Sequence, residues 1–157
     1  MRLRTDCNGL ESLPLKLMIV VAVASLSIIP ASEALDNLRN KDFANRLELQ
    51  LDSIISAAQL LAIGGPGGAR TIELDFTNDG KIGFARMVIG DGLGGANMSS
   101  IVLRFTNGAV MIKTCSDPPV WMKARDGHGL VIESPRSELR MSAEIDGRAP
   151  YILVEDV

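Results

Sequence analysis

Hydrophobic positions along this chain change their period twice, and each change marks an element. From Leu17 to Ile29 the run LMIVVAVASLSII carries no charge and no period, with apolar residues on every side and only Ser25 and Ser27 between them. From Asp36 to Ile63 a period emerges without a single Gly or Pro: Phe43, Leu47, Leu51, Ile54, Ala58 and Leu61 stand 4, 4, 3, 4 and 3 residues apart. That stripe is one face of an α-helix, and Asp42, Asn45, Arg46, Gln50, Asp52, Ser53 and Gln59 fill the rest of its surface. Gly64-Gly65-Pro66 ends it, glycine supplying the left-handed cap and proline blocking continuation. Pro30 is a candidate kink between the two stretches. The pattern predicts one long helix, apolar at its start and amphipathic toward its end.

After Ala69 the period becomes two. Ile72, Leu74 and Phe76 alternate with Thr71, Glu73 and Asp75, which predicts a strand buried on one face and wet on the other. Asn78-Asp79-Gly80 then predicts a turn that returns Lys81 to Ile89 as a hairpin partner. The phase of that second strand slips between Phe84 and Met87, the mark of a β-bulge. Ile101, Leu103 and Phe105 alternate next, and Asn107-Gly108 predicts a tight turn into Ala109 to Cys115. Leu130 to Glu133, Leu139 to Ile145 and Tyr151 to Val154 follow, the last two joined at Asp146-Gly147. The expected fold class is α+β: a long N-terminal helix packed on a C-terminal antiparallel sheet or meander of six or seven strands. Its expected core pairs Leu47, Leu51, Ile54 and Leu61 of the helix with Ile72, Leu74 and Phe76 of the sheet.

Composition narrows the function. The 157 residues are one domain's worth, and 46% hydrophobic against 22% charged residues excludes wholesale disorder. Sixteen Lys and Arg against nineteen Asp and Glu leave a net charge of −3, so no nucleic-acid partner is expected. One His and two Cys are too few for a four-ligand Cys/His zinc site, and no metal or other cofactor is expected. Cys7 precedes the apolar run and Cys115 follows it at a distance, which argues against a disulfide between them on grounds of compartment. Cys115 reads as a small buried apolar residue.

The run Leu17 to Ile29 spans 13 residues, fewer than the ~20 that cross a bilayer, and Leu13 to Leu15 lengthen it with Lys16 snorkelling. Arg2, Arg4 and Lys16 before it favour an N-in, C-out orientation. Three readings compete: a secretory signal cut after Ala34, a buried core helix, and a retained anchor that continues into the amphipathic helix. The Gly- and Pro-free stretch after it favours the anchor. The division expected is then 1–9 as a leader, 10–34 as an anchor or filament-core helix, 35–63 as the amphipathic helix and 64–157 as the sheet domain.

Smaller signals read blandly. Gly64 to Gly68 follows a helix and opens a strand, the reverse of a phosphate-binding loop. Gly90-Asp91-Gly92 lacks the acidic ladder of a calcium loop. His128 between Gly127 and Gly129 reads as an exposed loop residue; Asp126 with Ser134 or Ser116 has no triad spacing around it, and no enzyme activity is expected. Trp121, after Pro118-Pro119, reads as a core or interface anchor rather than a ligand platform. Asn97-Met98-Ser99 is a formal N-glycosylation acceptor in a surface loop.

An apolar N-terminal helix, an amphipathic extension and a terminal antiparallel sheet outline a type IV pilin. LPLKLMIVVAVASL, Leu13 to Leu26, resembles the pilin N-terminal segment, and GLESLPLKLMIVV followed by GGPGGARTIELDF resembles small archaeal pilin-like proteins with class III signal peptides. The resemblance implies a leader cut by a prepilin peptidase after Gly9, so that the mature chain starts at Leu10. It departs from the family in having Asn8 where a basic residue is usual and Pro14 at the fifth mature position, where Glu is common. It further implies a homo-oligomeric surface filament, anchored in the membrane before assembly and adhesive in role, polymerising through Leu17, Val21, Val23 and Leu26. The alternative from the residues themselves is a secreted or singly anchored β-rich binding domain that forms no filament.

Overall fold

The computed structural model describes residues 8–92, 94–147 and 149–157, and the side chains of all of these except 8–13 and 26–29. Cys7 and most of the expected leader therefore lie outside the described residues. Gly9, Leu10 and Leu26 are placed by their helical backbone alone.

Helix α1 covers Asn8–Gly64, 57 residues, with Pro14 and Pro30 inside it. Each proline removes one N–H donor from the helical ladder. The chain divides into two compact units, Met1–Leu38 and Arg39–Val157. In the second unit the expected stripe is the buried face of α1. Phe43, Leu47, Leu51, Ile54 and Ala58 are at most 2% exposed, and Leu61 packs half-buried against the same cluster. The helix stops where Gly65, at φ +80°, turns its N–H back to the Leu61 carbonyl at 3.1 Å.

Eight strands follow: β1 (Ala69–Asp75), β2 (Phe84–Ile89), β3 (Ser100–Phe105), β4 (Val110–Thr114), β5 (Met122–Lys123), β6 (Leu130–Ile132), β7 (Arg136–Asp146) and β8 (Ala149–Asp156). They form two four-stranded sheets, ordered β1-β7-β8-β5 and β4-β3-β2-β6, rather than the single sheet or meander expected. All pairings are antiparallel except β5 with β8. The α+β class with the helix packed on sheets holds. The hairpin expected across Asn78-Asp79-Gly80 does not form, because β1 pairs with β7 and β2 with β3 and β6.

The reason lies in the turn. Thr77 donates through both its N–H and its hydroxyl to Asp75 Oδ1, and Asn78 Nδ2 donates to the Ile82 carbonyl at 2.6 Å. These side-chain bonds hold a wide loop that carries the chain from one sheet to the other. Phe76 and Phe84 then stack with centroids 4.9 Å apart across the core, instead of lying side by side. The bulge is where the phase slip puts it, between Phe84 and Arg86, and it lets both Phe84 and Met87 face inward. The turns at Asn107-Gly108 and Asp146-Gly147 join β3 to β4 and β7 to β8, each with its glycine at positive φ.

Within this unit α1 ties together one edge of each sheet. Gln50 pairs its amide with the Asp75 backbone, Nε2 donating to the carbonyl at 3.0 Å and Oε1 accepting from the N–H at 3.3 Å. Across from it Lys113 of β4 reaches Asp52 at 2.8 Å and Glu48 at 3.6 Å. Phe43 of the helix meets Phe105 of β3 edge-on at 6.2 Å.

Candidate functional site

Two surfaces of different chemistry stand out, one in each unit. The first is the early part of α1. From Leu15 to Val23 every Leu, Met, Ile and Val is exposed, between 54% and 70%, and these residues go all the way round the helix. A helix apolar on all sides belongs in a protein core or in lipid. Ser25, the described serine of the wider run Leu17 to Ile29, is satisfied locally, its Oγ donating to the Val21 carbonyl at 2.7 Å, as a hydroxyl in an apolar medium requires. Among the described residues one helix, Pro14–Gly64, is long and apolar enough to cross a membrane. Its most apolar 18-residue window has a mean hydropathy of 2.0 and none of it is buried. Leu17, Val21 and Val23 of the expected assembly set lie on this surface.

The second surface is a cleft of ≈ 250 Å³ in the sheet unit. The end of α1 supplies Ile63 and the turn after it Pro66, the loop before β5 supplies Pro118, Pro119 and Trp121, and the β7–β8 hairpin supplies Glu144, Pro150 and Tyr151. Glu144 and Tyr151 are opposite one another in the β7–β8 register, and the phenol donates to Glu144 Oε2 at 2.6 Å. Held by that carboxylate, the Tyr151 hydroxyl resists ionisation and its pKa is pushed up to about 12. Lys123 Nζ sits 4.0 Å from the Tyr151 ring centroid and 4.7 Å from that of Trp121, and pairs with Asp146 at 2.7 Å. Trp121 is half-buried and its Nε1 donates to the Asp91 carbonyl at 3.1 Å, so the indole anchors the loop and walls the cleft at once. Sequence reading singled out Trp121 but not Tyr151, Glu144 or Lys123, which only the β7–β8 register and the β5–β8 pairing bring to it.

The remaining sequence candidates fall apart from these surfaces. His128 is exposed, and Asp126 accepts from its backbone N–H at 2.9 Å rather than orienting its ring. Ser134 Oγ donates to the Arg136 carbonyl at 2.6 Å. Cys115 is buried, its thiol donating to the Pro118 carbonyl at 3.3 Å, and burial pushes its pKa up. Asn97 is exposed in the loop before β3. Among the described residues no group of three or more His, Cys, Asp or Glu side chains could hold a metal ion. No protein-family model, curated protein or solved structure matches the chain.

Proposed function

We propose that this chain is a membrane-anchored, pilin-like structural subunit that builds a surface filament by packing its N-terminal helix against the same helix of neighbouring copies. The observation that carries the reading is the apolar surface of Leu15 to Val23, exposed on every side of a helix whose later turns form the core of a sheet domain. Burying such side chains stabilises by roughly 1.5–3 kcal/mol each, so water is the one environment this surface does not fit. Lipid covers it before assembly and neighbouring helices cover it afterwards. Between Lys16 and Glu33 the charge-free stretch Leu17 to Ser32 is about 24 Å long at 1.5 Å per residue, so a lone span of the ~30 Å hydrocarbon core has to draw in flanking residues with Lys16 snorkelling. A filament core, where neighbours supply the surroundings, imposes no such length.

A second reading is supported by the Trp121–Tyr151 cleft: a singly anchored or released binding domain. Two measurements separate them. Mass spectrometry of the mature N-terminus gives Leu10 for prepilin processing and Leu35 for an ordinary secretory signal. Val21→Asp places a charge at the centre of the run at about 2.5–3.5 kcal/mol on insertion scales. It should release the chain from membranes and from any sedimentable assembly while the sheet unit stays folded. Wild-type-like pelleting of Val21→Asp would sink the anchor reading.

A further inference from the structure

The outer faces of the two sheets carry like-charged pairs of opposite sign. In the β4-β3-β2-β6 sheet, Arg86 and Arg104 are directly opposite across β2 and β3, both exposed. In the β1-β7-β8-β5 sheet, Glu73 and Glu138 are directly opposite across β1 and β7, both exposed. Like charges facing each other across a strand pair destabilise it. Elsewhere on these faces charges are matched: Asp75 lies opposite Arg136 with 3.5 Å between the groups, and Arg125 reaches Glu155 at 2.8 Å. None of the four residues has an ion pair or a side-chain hydrogen bond among the described residues. Glu133, one step beyond β6 in the register that continues to Arg86, and Arg136 and Arg140, two residues to either side of Glu138, are charged neighbours on the same faces, and none of them pairs with these four.

Beside the arginines runs an apolar row. Ile112, Val102, Val88 and Val131 are successive cross-strand partners, with Ile112 60% and Val131 50% exposed at the two ends and Val88 half-buried and Val102 buried between them. Such a row next to two unmatched guanidinium groups is a poor solvent face and a good contact face.

We propose that the Arg86/Arg104 face of one copy docks on the Glu73/Glu138 face of the next, a head-to-tail contact that repeats along an assembly of this chain. The occupant is fixed by charge and by spacing. Both pairs are directly opposed cross-strand residues, so each has its Cβ atoms about 4.5–5.5 Å apart, and two guanidinium forks can meet two carboxylates at once. Because the two faces belong to different sheets, the contact is heterologous. It therefore leaves one unused face at each end and propagates instead of closing a dimer. The inference rests on the filament reading, since helices packed side by side supply the effective concentration at which a modest charged contact counts.

The test uses full-length chains extracted from membranes in mild detergent and analysed by sedimentation velocity. Arg86→Glu/Arg104→Glu makes both faces acidic, and Glu73→Arg/Glu138→Arg makes both basic. Each double variant alone should lose assembled material by about tenfold or more, with membrane retention and melting temperature unchanged. Mixed one to one they should co-assemble, because the acidic face of each first chain meets the basic face of each second. The chain with all four substitutions should assemble alone. If either double variant assembles as wild type does, or the mixture fails while both chains melt normally, the docking is wrong and the anchor reading stands. If the wild-type chain shows no assembly while Val21→Asp still releases it from membranes, the filament reading falls and the docking falls with it.

Discussion

Leu49 and Leu51 are two residues apart on α1 and face opposite ways, at 70% and 0% exposure. Truncating each to alanine isolates what the helical stripe contributes, since the residue type, the element and the helix propensity change are the same. At position 51 the side chain is enclosed by the cluster that joins Leu47 and Ile54 to both sheets, and its removal leaves a cavity that these packed neighbours only partly fill. Buried Leu→Ala substitutions cost about 2–5 kcal/mol by this route. At position 49 nothing is unburied, and the change should stay within about 0.5 kcal/mol. For a chain of this size, 3 kcal/mol lowers the melting temperature by roughly 6–12 °C. The readout is clean because the chain has one tryptophan, and Trp121 lies in the sheet unit. Its emission, followed through thermal unfolding of the full-length protein in mild detergent, reports that unit alone. Equal melting temperatures for Leu49→Ala and Leu51→Ala would refute the packing of the stripe on the sheets.

The chain's one tyrosine makes its phenol absorbance unambiguous: Tyr151 should titrate near pH 12, and Glu144→Gln should bring it down toward the ordinary value of 10.0. Since the unfolded phenol loses its proton first, this pair's contribution to stability is complete below about pH 10 and is lost as pH rises toward 12; a midpoint of 10 in the wild type would refute the bond. The two hydrogen bonds from Thr77 hold the Asp75 carboxyl below the usual range, its contribution present above the unfolded value of 3.8 and lost as pH falls through the lower folded one. Asp75→Asn should therefore melt below wild type at neutral pH, with the gap closing in acid; a gap that widens in acid would contradict the sign. Gly90 sits at φ +71° and a Cβ there would run into the Met122 carbonyl, so Gly90→Ala should cost about 1–3 kcal/mol in a melt. Buried and pushed up in pKa, Cys115 should react with a thiol reagent, in a Cys7→Ser background that leaves it the one thiol, only as fast as the sheet unit opens, and a burst at neutral pH would place it at the surface.

What the sequence made legible is what local physics decides. A 3.6-residue period is a statement about one helix face, and Phe43 to Ala58 sit where it puts them. Asn107-Gly108 and Asp146-Gly147 place glycine where positive φ is needed, so both hairpins close as expected. The phase slip after Phe84 is a bulge because two inward residues three apart demand an extra one between them. Partner choice was not legible. Alternation says which face of β1 is buried but nothing about which strand lies beside it, and that strand is β7, with Ile72 opposite Leu139, 67 positions on. Asn78-Asp79-Gly80 suggested the neighbouring strand because the Asp75–Thr77 and Asn78–Ile82 bonds that widen the loop leave the same composition as a tight turn. The cleft was hidden for the same reason: Glu144 and Tyr151 become a pair only once β7 and β8 are in register.

Register also decides which surfaces are open to assembly. An exposed strand edge invites a second chain to add to it, and sheets that avoid this cover, shorten or charge their edges. Here β5 has two residues and β6 three, too short to template a partner. The longer edge β1 is occupied by Gln50 of α1 at Asp75. The other long edge, β4, is tied to the same helix through Lys113 with Asp52 and Glu48. The two short edges give a partner little to pair with and the helix holds one end of β1 and a side chain of β4, whereas the apolar run of α1 and the unmatched charge pairs on the outer faces have no such cover among the described residues. Polymerisation by the proposed route, through helix and faces, would need no strand to leave its sheet, and a subunit would join or leave with its fold intact. A chain that instead polymerised by exchanging strands would need its sheets to open, and its assembly would slow as Leu51 and its neighbours were packed better.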